Sequence, residues 1–126
     1  MVLNDKMQVY YQENPLMVSS PFGGVTGVNR ALFDSVFGEL GIDLKGRRTL
    51  DVGCGRGFVE EVVTEAGGEY LGLDFVVSRE GSRLVLGDGA HLPLGAATFD
   101  AVFCIDAFEH FPEAELAARE FARVLK

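Results

Sequence analysis

Leu50-Asp51-Val52-Gly53-Cys54-Gly55-Arg56-Gly57 is the stretch on which the reading of this chain turns. Arg48–Val52 reads as a buried strand, with Leu50 and Val52 apolar, and it runs directly into a glycine loop. Residues 58–66 follow as a helix, apolar at Phe58, Val59, Val62 and Val63 and stopped by Gly67-Gly68. Glycine is needed where a chain turns tightly and where a ligand must approach the backbone without a Cβ in the way. The helix start adds unpaired N–H groups and positive dipole potential. A dinucleotide site would place a pyrophosphate there and favours G-x-G-x-x-G. Gly53, Gly55 and Gly57 instead make G-x-G-x-G, which departs from that fingerprint.

Outward from this unit, strands and helices alternate. Glu69–Asp74 is a second strand, residues 83–87 a third and residues 100–105 a fourth. Residues 112–125 close the chain as a helix, with Pro112 near its first turn and Leu116, Phe121, Val124 and Leu125 as core candidates. Upstream, Val28, Leu32, Val36 and Leu40 fall four apart with Ala31 beside them, which predicts an apolar helical stripe capped by Thr26 and ended by Gly41. Residues 1–25 read as an irregular arm rich in turn formers, with a short helix around residues 5–12, and residues 26–126 as one domain. The alternation predicts an α/β fold: a Rossmann-like parallel sheet with helices on both faces. One link is short. The eight residues 75–82 are fewer than a parallel crossover commonly uses, so either that crossover is an extended loop or the strand limits shift by two or three residues.

Composition bounds the function. The chain has 126 residues, 48% hydrophobic and 24% charged, as expected for one soluble globular domain. No apolar run approaches the roughly 20 residues that span a bilayer. The first eleven residues carry Asp5 and Lys6 and lack a secretory core, so a cytoplasmic location is expected. Cys54 and Cys104 are too few for a disulfide scaffold and have no metal-binding spacing, so both are expected reduced and buried, with no metal. A net charge of −8 argues against nucleic acid and suits a small neutral or cationic ligand.

The string LDVGCGRG resembles the first motif of class I S-adenosyl-L-methionine (SAM)-dependent methyltransferases, especially the "type 11" family. Further segments follow in that family's order. Leu71-Gly72-Leu73-Asp74 ends the second strand with an acid about 20 residues on. Gly87-Asp88-Gly89-Ala90-His91-Leu92-Pro93-Leu94, then Thr98-Phe99-Asp100, is similar to "GDAxxLPF…SFD". Residues 101–112 resemble the fourth strand and its "LEHVPD" turn, and Glu120 to Lys126 resemble "REIARVLKPGG". The likeness covers roughly residues 48–126.

The resemblance implies a site. The loop of Gly53, Cys54 and Gly55 would cradle the methionine part of SAM, with Asp51 holding its amino group. Asp74 would accept hydrogen bonds from the ribose hydroxyls. Phe75 would pack on the adenine, and Asp88 with Gly89 would read the adenine amino group. Asp106, at the carboxyl end of a central strand, is placed for cofactor or substrate contact. The structural alternatives are a helix-capping Asp51, a solvated Asp74, an Asx-turn at Asp88 and a core Phe75. His110 is the only tempting general base, His91 reads as a turn residue, and Tyr10 and Tyr11 either close over the cofactor or pack. Cys54 fills the motif as a small residue and is not a nucleophile. No catalytic residue stands out, and methyl transfer needs little acid–base help because the sulfonium is already activated.

The family's fold continues past "RVLK" into three more strands, so a sheet of order 3-2-1-4 lacking those strands is expected here. Its fourth strand would form an open edge with no proline to blunt it. Either the chain is a piece of a longer methyltransferase or a second copy pairs with that edge as a homo-oligomer. The reading is a methyltransferase, or its SAM-binding part, acting on a small-molecule acceptor and leaving S-adenosyl-L-homocysteine (SAH). The alternatives are a non-catalytic SAM-binding or dimerisation module and, less fitting the loop, a Rossmann oxidoreductase.

Overall fold

The computed structural model describes residues 27–55, 57–76 and 83–126. The expected arm at 1–25, the cap at Thr26, Tyr10, Tyr11 and most of the short 75–82 crossover lie outside the described residues. The elements in order are α1 (Gly27–Leu40), β1 (Arg48–Val52), α2 (Phe58–Glu65), β2 (Glu69–Asp74), β3 (Leu84–Leu86), β4 (Ala101–Phe103) and α3 (Ala114–Val124). A turn of 3-10 helix, Phe108–His110, precedes α3.

All four strands are parallel, in the expected order β3-β2-β1-β4. β1 occupies the interior of the sheet, and Asp51 stands opposite Gly72 on one side and Phe103 on the other. Strand residues alternate between faces. Leu50, Val52 and Leu73 point into a cluster with Leu92, Phe99 and Val124, on which Phe121 of α3 packs. Tyr70 points the other way, toward Leu44 and toward Val59 and Val63 of α2, with Phe33 and Phe37 of α1 alongside. Helices therefore cover both faces. Burying side chains such as Leu50 and Val59 contributes roughly 1.5–3 kcal/mol each, and this two-sided core holds the strand ends in register.

β1 and β2 have the limits expected from sequence. β3 and β4 are shorter than expected. The ordered pairing of β4 ends at Phe103, and by Asp106 the backbone has turned to φ +52°, which no strand accommodates. Before β4, Phe99 bridges to Leu125, and the Lys126 N–H donates to Phe99 O at 2.9 Å.

Two core assignments are corrected. On α1 the expected stripe faces outward: Leu32, Val36 and Leu40 are 63%, 40% and 69% exposed. Phe33 and Phe37 are the inward residues, with ring centroids 5.4 Å apart and Phe37 5.8 Å from Phe103. Both sets are spaced by four, so periodicity cannot separate them. Aromatic area decides, because each ring buries more apolar surface than a Leu or Val. On α3, Leu116 is exposed and Ala117 is wholly buried, one residue along. Ala117, Phe121 and Val124 make the stripe that faces the sheet.

Candidate functional site

The carboxyl ends of β1, β2, β3 and β4 lie side by side, and these strand ends and the loops leaving them carry the candidate cofactor-binding residues Asp51 to Asp106. At β1 the chain turns immediately after Val52. Gly53 adopts φ +74°, and a Cβ there would stand 2.4 Å from the Cβ of Ala107. Only glycine fits this position, for the turn and for the close approach alike. The N–H groups of Gly53 and Cys54 both donate to Leu73 O, at 2.8 and 3.1 Å, which fastens the loop to β2. Gly57 is the N-cap of α2, where no side-chain hydrogen bond covers the first turn.

Asp74 completes the fastening. Its Oδ2 accepts the Gly55 N–H at 2.9 Å, and its Oδ1 accepts those of Phe75 at 2.8 Å and Val76 at 3.4 Å. At 6% exposure it is not a solvated strand-end acid. Burial raises its pKa above the ordinary carboxylate value, and the three amide donors offset this only in part.

Asp51 is 2% exposed and accepts a hydrogen bond from the Tyr70 hydroxyl at 2.9 Å on Oδ2. Gly72 makes room for the pair: a Cβ there would lie 2.9 Å from Tyr70 Oη and 2.9 Å from Cys54 Sγ. Cys54 is buried and Cys104 half-buried, short of the full burial expected for both. Burial, then the negative charge of Asp51 and Glu109, pushes the Cys104 thiol up to about 12, so it stays protonated and unreactive at neutral pH.

The loop after β3 starts with the Gly87 N–H donating to Asp74 O at 2.9 Å. Asp88 forms an Asx-turn, its Oδ1 accepting the Ala90 N–H at 2.9 Å and its Oδ2 lying 3.3 Å from His91 Nδ1. Gly89 is buried against Phe111, whose ring carbons would meet a Cβ at 2.9 Å. Helix α3 clamps this loop. Leu92 N–H donates to Glu120 Oε2 at 2.8 Å, while Arg123 donates to Leu94 O at 2.9 Å, to Leu92 O at 3.1 Å and to Glu120.

The contacts thus join Gly53, Cys54, Gly55, Asp74 and Phe75 in one network, with Asp51 beside it on the Tyr70 hydroxyl and Asp88 and Gly89 on the adjoining loop. Asp106 sits exposed after β4, next to the Ala107 that abuts Gly53. His110 is exposed and lies 3.8 Å from Glu109. Tyr70, Gly72, Glu120 and Arg123 were not assigned roles from sequence. The alternation of Tyr70, Gly72 and Asp74 along one face of β2 was the signal for the first two, and the three-residue spacing of Glu120 and Arg123 on a helix was the signal for the others. Four carboxylates around the strand ends favour a ligand with cationic or hydroxyl groups over a phosphate.

Residues 50–126 match the family model described as Methyltransferase domain. The chain belongs to that methyltransferase family. It is 31% identical over 121 residues to the ubiquinone biosynthesis O-methyltransferase of Azoarcus sp., an alignment covering 86% of this chain and 51% of that protein. Among solved structures it superposes on the cyclase SpnF with a TM-score of 0.67 and 26% identity, covering 86% of this chain and 45% of that one. It also superposes on a SAM-dependent methyltransferase from Archaeoglobus fulgidus with a TM-score of 0.62 and 29% identity, covering 77% and 48%. This methyltransferase-family chain spans about half the length of the curated relative it matches. The shared half is the one that carries the glycine loop and the acids after β2 and β3.

Proposed function

We propose that the chain binds SAM and forms the cofactor-holding part of a methyltransferase acting on a small-molecule acceptor. The observation that carries this reading is the Asp74 carboxylate, buried at the end of β2 and bonded to the glycine loop of β1. The residues fit SAM chemically. Asp51 and the Gly53, Cys54 and Gly55 backbone would hold the amino-acid arm, Asp74 the ribose hydroxyls, and Phe75 the adenine face. Asp88 with Gly89 would take the adenine amino group, and Asp106 would face the cofactor or acceptor. SAM supplies an activated methyl group. The chain's own residues then align the reactants and exclude water, for which no general base is required. The acidic rim supports a neutral or cationic acceptor over nucleic acid.

Calorimetric titration with SAM, SAH and NAD tests the reading. Heat with SAM and SAH but not NAD is expected; a folded protein silent to both adenosyl ligands would sink it. Turnover against an acceptor panel then separates transferase from binder. The likeness to SpnF, named as a cyclase, favours a second reading in which the same SAM-binding frame carries no methyl transfer.

β4 pairs with β1 along one side, and among the described residues its other side meets the chain only near Phe99. That open edge supports a homodimer formed by two-fold strand pairing. Light scattering of the purified chain tests it, and a monomer at high concentration would rule it out. The two thiols suit a cytoplasmic location. No helix among the described residues is long and apolar enough to cross a membrane.

A further inference from the structure

We infer that Tyr70 is a positioning residue for the amino-acid arm of the cofactor, acting through Asp51 from the space that Gly72 leaves open. This rests on the proposed reading of the glycine loop as a SAM site. On β2, residues 70, 72 and 74 share the face that looks toward α2. Asp74 holds Gly55 from above the loop. Tyr70 reaches up the same face and donates its hydroxyl to Asp51 Oδ2 at 2.9 Å, in a buried setting.

A carboxylate that is 2% exposed must have its oxygens met by donors, and each donor also limits how the carboxylate plane can turn. Charge-assisted hydrogen bonds are the strong ones, so the phenol sets that orientation firmly. Its reach depends on Gly72. Any Cβ at that position would come within 2.9 Å of Tyr70 Oη and of Cys54 Sγ, pushing the phenol or the loop away. Gly72 is the register partner of Asp51, so the space it leaves lies beside the carboxylate. The three residues Asp51, Tyr70 and Gly72 therefore act as one device under the first turn of the loop. Asp51 presents a fixed negative group, and the ammonium of the ligand's amino-acid arm is what that group would recognise.

The test is Tyr70→Phe, which keeps the ring and removes the hydroxyl, titrated with SAH and with 5′-methylthioadenosine, which lacks the amino-acid arm. SAH affinity is expected to fall about tenfold while methylthioadenosine affinity stays within about twofold, the size of a lost hydrogen bond to a charged group. Equal losses for both ligands, or an unchanged SAH affinity, would overturn the inference. Gly72→Ala provides the second variant and is judged by the same selective loss, so a poorly folding Tyr70→Phe does not leave the matter open. Wild-type protein that binds neither ligand would instead defeat the SAM reading itself, and that result is visible before any variant is made.

Discussion

The carboxylate of Asp74 accepts the amide of Gly55 at 2.9 Å, so the last residue of the second strand holds the loop that leaves the first. Two segments far apart in sequence become one surface through this bond. Each of its partners is needed for a separate reason: glycine because the backbone of Gly55 is left-handed, at φ +52°, and aspartate because three amides converge on it.

Burial raises the pKa of Asp74 against the opposing pull of its amide donors, and this makes the residue visible in the pH dependence of stability. The folded state favours the protonated acid relative to the unfolded chain, whose value is near 3.8. Its stabilising contribution is therefore complete below that value and declines as pH rises through the higher folded pKa. Asp74→Asn has no such titration. Its melting temperature, compared with wild type, is expected to move in the variant's favour as pH is raised through this window. A difference that stays constant from roughly pH 3 to 6 would contradict the assignment.

Gly53→Ala combines a left-handed backbone with a Cβ placed 2.4 Å from that of Ala107. The backbone term alone costs about 1–2 kcal/mol, and the overlap adds to it by forcing the 53–57 loop away from the chain after β4. Urea unfolding should show the loss, and SAH binding should weaken with it. Unchanged stability would mean the two loops are not in contact.

Arg123→Ala removes the donors to the Leu92 and Leu94 carbonyls and frees Glu120 to move. The loop carrying Asp88 is then held by fewer bonds. Hydrogen exchange should report faster exchange at the Leu92 amide, which donates to Glu120, with the β1 amides unchanged. Equal protection in variant and wild type would show that the clamp is not what orders the loop.

On α1 the contrast is between neighbouring residues. Leu32→Gln is expected to change stability by less than about 0.5 kcal/mol, because that side chain is exposed. Phe33→Ala should cost about 2 kcal/mol through lost packing against Phe37, Phe58 and Phe103. Thermal melts of the two variants measure this directly. The reverse ranking would restore the stripe of Leu32, Val36 and Leu40 to the interior, where a second chain or segment would have to cover it.

Much of the candidate site's arrangement is legible in the sequence. Asp51, the three loop glycines, Asp74 and Asp88 stand out because a strand end followed by a glycine loop and a helix is a local pattern, and the resemblance supplies the later motifs in order. Asp88 turned out to make the Asx-turn that its Gly89 neighbour suggested. Tyr70 was invisible as a partner of Asp51 because the bond crosses two strands, and its meaning depends on the parallel register that sets Gly72 opposite Asp51. Leu32 and Phe33 were exchanged for a related reason. Helical spacing says that a stripe is apolar, not which of two adjacent stripes meets the sheet.

The sequence by itself determined the order of strands and helices, the glycine loop and the acids at the strand ends, because hydrophobic period, glycine placement and strand-terminal charge are properties of neighbours along the chain. Only the tertiary structure decided which carboxylate holds which amide, which face of α1 is inside, and why Gly72 carries no side chain. Those outcomes depend on distances across the sheet, where a single Cβ is enough to displace the Tyr70 hydroxyl or the Cys54 thiol.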